Sequence, residues 1–256
     1  MPAINLPDGT LYYAQSHPDA TAFPPLVLVH GAGGSRLDWA PELRRLPDAR
    51  VIALDLPGHG KSTAPGRNTL DAYARDVAAL LDALALDRAV IVGHSMGGGV
   101  AQLLALDWPE RIAGLVLLGT GSKLPVDPTL PDRIVTEPDT TLDWLIEWSW
   151  HPSASADMKA QGRTAFASTP RDVLRSDYLA CKAFDTRDRL AQIAAPTLVI
   201  GAEDDCMVPL KFSRTLAERI PDTRLVVIER AGHMFPLEQP KQVAQAITSW
   251  LAELRP

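Results

Sequence analysis

The stretch AVIVGHSMGGG, residues 89–99, decides the fold of this chain. It predicts a short apolar strand, a sharp turn with Ser95 at its apex, and a helix just beyond the turn. Gly93 and Gly97 lack a Cβ atom, so the strand and the helix can approach closely while the apex residue takes a strained backbone conformation. Such a turn presents the serine at the carboxyl edge of a sheet, as in a nucleophile elbow. The alternative is a glycine-rich helix start with Ser95 as its N-cap; the strand and helix around the motif favour the elbow.

Outward from this stretch, apolar strands alternate with amphipathic helices. The runs at 26–29, 51–54 and 114–119 are apolar throughout, which is typical of strands buried on both faces of a parallel sheet. A helix with one apolar face is predicted over 70–84. The alternation predicts right-handed crossovers and an α/β fold, with a mostly parallel central sheet covered by helices on both faces.

Two glycine-rich loops follow the first two of these strands. The loop HGAGGS at 30–35 can turn tightly and present backbone N–H groups to an anion. The loop DLPGHGKS at 55–62 lacks the spacing of a phosphate-binding loop. We therefore predict that His59, within the second loop, is a structural histidine.

The pattern changes between residues 122 and 190, where no buried-strand pattern occurs and the segments look helical. This predicts a helical cap inserted over the carboxyl edge of the sheet. The core domain would then comprise residues 1–121 and 191–256, in which strands resume at 196–200 and 224–228. Trp144 and Trp148 of the insertion are candidate substrate-binding residues, or else part of its own small core.

Composition limits the classes of partner. The chain has 256 residues, of which 46% are hydrophobic, and a formal net charge of −6. We therefore expect neither nucleic acid nor a membrane surface as a partner. The N-terminus has no signal-peptide pattern, and the two cysteines, Cys181 and Cys206, are expected as free thiols, although a disulfide between them stays open. These features predict a cytoplasmic protein, and no Cys/His cluster has the spacing of zinc ligands.

Three kinds of side chain needed for nucleophilic catalysis follow predicted strands. A serine hydroxyl needs a base within hydrogen-bond reach, and the base needs an acid that orients it. His233 follows the last strand, and Asp204 and Asp205 follow the strand before it. Because the carboxyl ends of parallel strands meet at one edge of a sheet, we expect Ser95, His233 and one of these aspartates to lie together. The backbone N–H of Met96, at the helix start, would be one donor of an oxyanion hole.

Together these segments resemble the α/β-hydrolase superfamily over nearly the whole chain. The matching motifs are HGAGG at 30–34, DLPGHG at 55–60, GHSMGG at 93–98, the loop at 205–209, and the Gly-His pair at 232–233.

The resemblance also assigns roles that spacing alone leaves open. Counting back from Pro209 by the family's spacing identifies Asp205 as the acid, whereas counting forward from Gly201 gives Asp204. We predict Asp205, although Ala202 stands where the family usually has glycine. The second oxyanion donor implied by the resemblance is the backbone N–H of Ala32.

The function we predict is hydrolysis of small carboxylic esters through an acyl-enzyme on Ser95, with no cofactor and no metal. A nucleophilic serine weighs against the dehalogenases and epoxide hydrolases of the superfamily, which use aspartate at the elbow. A C–C bond hydrolase, a cofactor-free haloperoxidase and a hydroxynitrile lyase remain as alternatives. A non-catalytic ligand-binding protein of the same fold also remains, and the sequence leaves a homodimer open.

Overall fold

The computed structural model describes residues 2–254 and contains one eight-stranded sheet in the order β1-β2-β4-β3-β5-β6-β7-β8. The strands β1 to β8 are Ala3–Leu6, Gly9–Ser16, Leu26–Val29, Val51–Leu54, Ala89–His94, Ile112–Leu118, Thr197–Ala202 and Thr223–Ile228. The first two strands form an antiparallel hairpin, and β2 also pairs antiparallel with β4. All the remaining pairs are parallel. This confirms the mostly parallel sheet predicted from the apolar runs.

Helices cover both faces of the sheet. Within residues 2–254 the helices α1 to α10 are Pro41–Arg44, Leu70–Ala83, Met96–Asp107, Leu130–Thr136, Pro138–Ser149, Ala156–Ala167, Arg171–Ala183, Lys211–Arg219, Phe235–Glu238 and Pro240–Glu253. Helices α2, α3 and α8 pack on one face of the sheet, and α1 and α10 pack on the other. No helix in this part of the chain combines the length and the apolar character needed to cross a bilayer.

The strand order sets where the loops meet. β3 and β5 are neighbours, and Val29 at the end of one is paired with Gly93 of the other. The glycine-rich loop after β3 and the turn after β5 therefore leave the sheet side by side. β6 and then β7 and β8 continue the sheet, so the loops after β7 and β8 leave from the same edge.

The segment between β6 and β7 contains α4, α5, α6 and α7. Its two ends meet where Lys123 forms an isolated antiparallel bridge with Asp185. Helix α4 lies in the proline-rich first part of the predicted helical insertion; Pro131 lies in its first turn, where proline is tolerated. That residues 122–190 form a separate cap domain stays a prediction. Both cysteines are free thiols, Cys181 buried and Cys206 exposed.

Candidate active site

The turn after β5 has the strained geometry that its glycines suggested. Ser95 has φ 53° and ψ −117°, and α3 begins at the next residue, Met96. A Cβ atom on Gly93 would lie 2.2 Å from the carbonyl oxygen of Gly97, and one on Gly97 would lie 2.1 Å from the carbonyl oxygen of Val29. Only glycine fits at either position, and the turn is an elbow rather than an ordinary helix cap, since the Ser95 side chain makes no capping hydrogen bond.

The loops after β7 and β8 bring an aspartate and a histidine together. Nδ1 of His233 lies 2.8 Å from Oδ2 of Asp205, and both side chains are buried. The other oxygen of Asp205, Oδ1, accepts a hydrogen bond from the backbone N–H of Val208 at 2.7 Å. Asp204 instead has a side chain that is 46% exposed and lies 3.4 Å from Nε2 of His151. Of the two aspartates, the structure therefore brings Asp205 to His233.

Two residues that the sequence did not single out hold the backbone around His233. Nε2 of His94 donates a hydrogen bond to the carbonyl oxygen of His233 at 2.9 Å. Burial lowers the pKa of His94 to about 3, so its ring is neutral. Glu238 accepts a hydrogen bond from the backbone N–H of Gly232 at 3.2 Å, and burial raises the pKa of Glu238. His94 lies within the elbow motif, but its contact with a residue 139 positions away leaves no mark in the sequence.

Ser95 and His233 line the same cavity, which has a volume of about 50 Å³. Ala32, from the loop after β3, lines it as well. Among the described residues, the Ser95 hydroxyl has no hydrogen-bond partner. Hydrogen bonds between a nucleophile and its base often tighten only when a substrate binds. The cavity can therefore admit a small reacting group beside the hydroxyl and the imidazole.

Two backbone N–H groups, those of Ala32 and Met96, belong to segments that meet at the elbow. A Cβ on Gly31 would lie 3.2 Å from Cβ of Ser95, so the loop that carries Ala32 packs directly against the elbow. Within residues 2–254, neither the Ala32 N–H nor the Met96 N–H has an intramolecular acceptor. Unpaired donors of this kind at a helix start are suited to hold a developing negative charge.

The two candidate substrate-binding tryptophans do not line this cavity. Trp148 is 47% exposed and Trp144 is partly buried, and their rings pack on each other with centroids 5.2 Å apart. Ser149, on the same helix α5, is buried and lines the cavity instead. Trp144 packs against an apolar cluster of the insertion, as the alternative interpretation expected.

A second, larger cavity adjoins the first. Its volume is about 310 Å³, and most of its lining is apolar, contributed by α5, α6 and the region around α9. The two cavities share four lining residues: Asp38, Ser149, Phe166 and Met234. The larger cavity therefore lies directly beside the one that Ser95 lines.

Asp38 is the ionisable residue at the junction of the two cavities. Its Oδ2 atom accepts a hydrogen bond from the backbone N–H of Ser35 at 3.1 Å. Burial raises the pKa of Asp38 to about 7. Residues 2–254 contain no cluster of three or more His, Cys, Asp or Glu side chains that could hold a metal ion.

Comparisons with known proteins agree with this architecture. Residues 24–240 match the family described as the alpha/beta hydrolase fold. A solved structure of a thermophilic esterase from Thermogutta terrifontis is 31% identical, covers 97% of this chain and 95% of its own, and superposes with a TM-score of 0.88. A relative from Variovorax paradoxus, named provisionally as a carbamate hydrolase, RutD, is 35% identical over 90% of this chain and 92% of its own. A relative from Burkholderia vietnamiensis, named 2-hydroxy-6-oxononadienedioate/2-hydroxy-6-oxononatrienedioate hydrolase, is 32% identical over 95% of this chain and 92% of its own.

Proposed function

The chain belongs to the α/β-hydrolase family, and from this premise we propose that it is a serine hydrolase that cleaves carboxylic esters. One observation carries the proposal: His233, which is joined to Asp205 at 2.8 Å, lines the same cavity as Ser95. A cytoplasmic location and catalysis without a cofactor are parts of the same proposal.

The direction of the His233–Asp205 hydrogen bond assigns the base. Asp205 as a carboxylate can only accept, so Nδ1 of His233 carries the hydrogen. In the neutral ring Nε2 then holds a free lone pair. We assign to Nε2 the removal of the Ser95 proton, and to Asp205 the fixing of this tautomer and the stabilisation of the imidazolium that forms.

In the first step, Ser95 Oγ forms a bond to the ester carbonyl carbon while its proton passes to His233. The carbonyl oxygen becomes an alkoxide, held by the N–H groups of Ala32 and Met96, and one such donor is typically worth about 3 kcal/mol of barrier. The C–O bond to the leaving group then breaks, and His233 returns the proton to the leaving alcohol. Water attacks the acyl-enzyme in the same way and releases the acid.

The lining of the cavities favours uncharged substrates. Neither the cavity of Ser95 nor the larger one beside it is lined by lysine or arginine within the described residues. Two cations of the insertion are instead paired with acidic side chains, Lys159 with Glu147 and Arg163 with Asp143. The relative from Burkholderia vietnamiensis is named for dioate substrates, and this lining offers no cation to hold a second carboxylate. We therefore favour ester hydrolysis over C–C bond cleavage of such acids as the function.

Carbamate hydrolysis is the second candidate, because the relative from Variovorax paradoxus carries that provisional name. A carbamate would undergo the same attack by Ser95, with an amino group in place of the carbon chain on the carbonyl. The Ser95 site alone accommodates either bond, and the larger apolar cavity favours esters with a hydrocarbon acyl group.

A substrate panel tests the proposal. It compares p-nitrophenyl acetate, butyrate and octanoate with p-nitrophenyl N-butylcarbamate and a vinylogous diketone, by kcat/KM. We expect the butyrate or octanoate ester to be the best substrate. Faster turnover of the carbamate or the diketone would replace the ester assignment, and saturable binding without turnover of any of them would indicate a ligand-binding protein.

A further inference from the structure

Asp177 of α7 is completely buried and joins three segments of the chain. Its Oδ2 atom accepts a hydrogen bond from the backbone N–H of Gly33 at 2.9 Å and lies 2.8 Å from Nε2 of His59. Its Oδ1 atom accepts a hydrogen bond from the hydroxyl of Tyr73 at 2.7 Å. One carboxylate from the segment between β6 and β7 thus binds the loop after β3, the loop after β4 and helix α2.

Three of the protons in this group can be placed from the partners alone. The Tyr73 hydroxyl accepts a hydrogen bond from the backbone N–H of Arg67 at 3.1 Å, so its own hydrogen points to Asp177. The Gly33 N–H can only donate. Nδ1 of His59 lies 3.0 Å from the carbonyl oxygen of Pro57, which can only accept.

Nδ1 of His59 therefore carries a hydrogen, and one further proton lies between Nε2 of His59 and Oδ2 of Asp177. The group is a buried His–Asp pair joined by that proton. Burial lowers the pKa of His59, but the Asp177 carboxylate outweighs it and the net shift is upward. The neighbouring His30 ring, 4.9 Å away between centroids, is neutral because burial lowers its pKa to about 3.

Gly33 is held on its other side as well. Its carbonyl oxygen accepts a hydrogen bond from the hydroxyl of Thr169 at 2.8 Å. Its φ angle is +65°, and a Cβ atom there would lie 2.5 Å from Cδ1 of Leu174. Both hydrogen bonds to this residue come from the segment that contains α7, and the next residue back along the chain is Ala32.

We propose that Asp177 is a positioning residue of the oxyanion hole: by binding the Gly33 N–H and His59, it fixes the turn that presents the Ala32 N–H to the Ser95 cavity. This inference rests on the proposed acyl-transfer function. It makes the second oxyanion donor depend on the docking of α7, so that the hole is complete only when this helix is in place.

Three variants separate positioning from simple support of the fold. Asp177→Ala removes the acceptor of the Gly33 N–H. Asp177→Asn keeps an oxygen that can accept from that N–H and removes the charge. Tyr73→Phe is the matched control, since it leaves Oδ1 of Asp177 without its buried donor, which costs stability, but leaves both bonds of Oδ2 in place.

The readouts are kcat and KM for p-nitrophenyl butyrate, the inhibition constant of butylboronic acid, and Tm. The boronic acid reports on the hole because Ser95 Oγ bonds to boron, its proton passes to His233, and the tetrahedral adduct carries the negative charge. All variants are measured well below their Tm, so that a loss of kcat or of inhibitor binding is not caused by unfolding.

For Asp177→Ala we expect kcat to fall about tenfold to a hundredfold, with KM nearly unchanged. The inhibition constant of butylboronic acid should rise in proportion to the loss of kcat. Asp177→Asn should recover most of both losses. Tyr73→Phe should lower Tm while kcat and the inhibition constant stay within about threefold of wild type.

The proposal is overturned if folded Asp177→Ala keeps both kcat and the inhibition constant, or if Tyr73→Phe changes them as much. If Asp177→Ala does not fold, Thr169→Val is used instead, because it removes the other hydrogen bond to Gly33. We expect this variant to bind butylboronic acid more weakly, and an unchanged inhibition constant would contradict the proposal equally. A wild-type protein that neither cleaves the ester nor binds the boronic acid would instead refute the proposed function.

Discussion

Nδ1 of His233 lies 2.8 Å from Oδ2 of Asp205, although the two residues are 28 positions apart and follow different strands. Asp204, directly adjacent in sequence, faces solvent and His151 instead. The orientation of one carboxylate therefore distinguishes two neighbouring residues of the same type.

We expect Asp205→Asn to lower kcat about 10⁴-fold, because an amide in this position favours the wrong tautomer of His233. Asp204→Asn is the matched control and should change kcat little. Both are measured with p-nitrophenyl butyrate. A larger loss of kcat for Asp204→Asn would identify Asp204, and not Asp205, as the acid that orients His233.

Ala165 lines the larger cavity from α6, and Ala160, on the same helix, does not line it. Ala165→Leu should reduce kcat/KM for p-nitrophenyl octanoate about tenfold and leave the acetate ester nearly unchanged, since the added side chain occupies space that only a long acyl group needs. Ala160→Leu should affect neither substrate. Equal effects of Ala165→Leu on both esters would show that the acyl chain lies elsewhere.

We expect the contribution of Asp38 to the free energy of unfolding to fall as the pH rises. Its pKa is raised from an ordinary 3.8 to about 7, so between these values the folded protein binds a proton that the unfolded chain has released. Stability from this group therefore falls from pH 4 towards pH 7 and above. Asp38→Asn removes the titration and can keep the bond to the Ser35 N–H.

The gain in Tm of Asp38→Asn over wild type should accordingly be small at pH 4 and grow towards pH 8. Asp19→Asn, at an exposed position away from both cavities, serves as the control for the substitution itself. A gain for Asp38→Asn that is independent of pH would contradict the raised pKa.

The parts of the site that depend on short-range sterics could be predicted from the sequence. The elbow at Ser95 follows from the absence of Cβ atoms at Gly93 and Gly97, and the sheet follows from runs of apolar residues. The α/β-hydrolase fold is confirmed by these elements and by the family match.

Contacts between distant residues could not be predicted in this way. Trp144 and Trp148 were candidates either for substrate contact or for a small core of the insertion, and which side of α5 faces the Ser95 cavity depends on how the helix packs. Asp177 meets Gly33 across 144 positions, and no local pattern marks that contact. The raised pKa of Asp38 likewise arises from burial that only the folded chain creates.

The central claim is that Ser95 is the nucleophile of an ester hydrolase. Its most direct test is kcat/KM of Ser95→Ala for p-nitrophenyl butyrate, measured beside wild type on protein with the same Tm. The account predicts a loss of more than about a thousandfold, because the variant lacks the oxygen atom that forms the acyl-enzyme beside His233. A variant that retains wild-type turnover would contradict it.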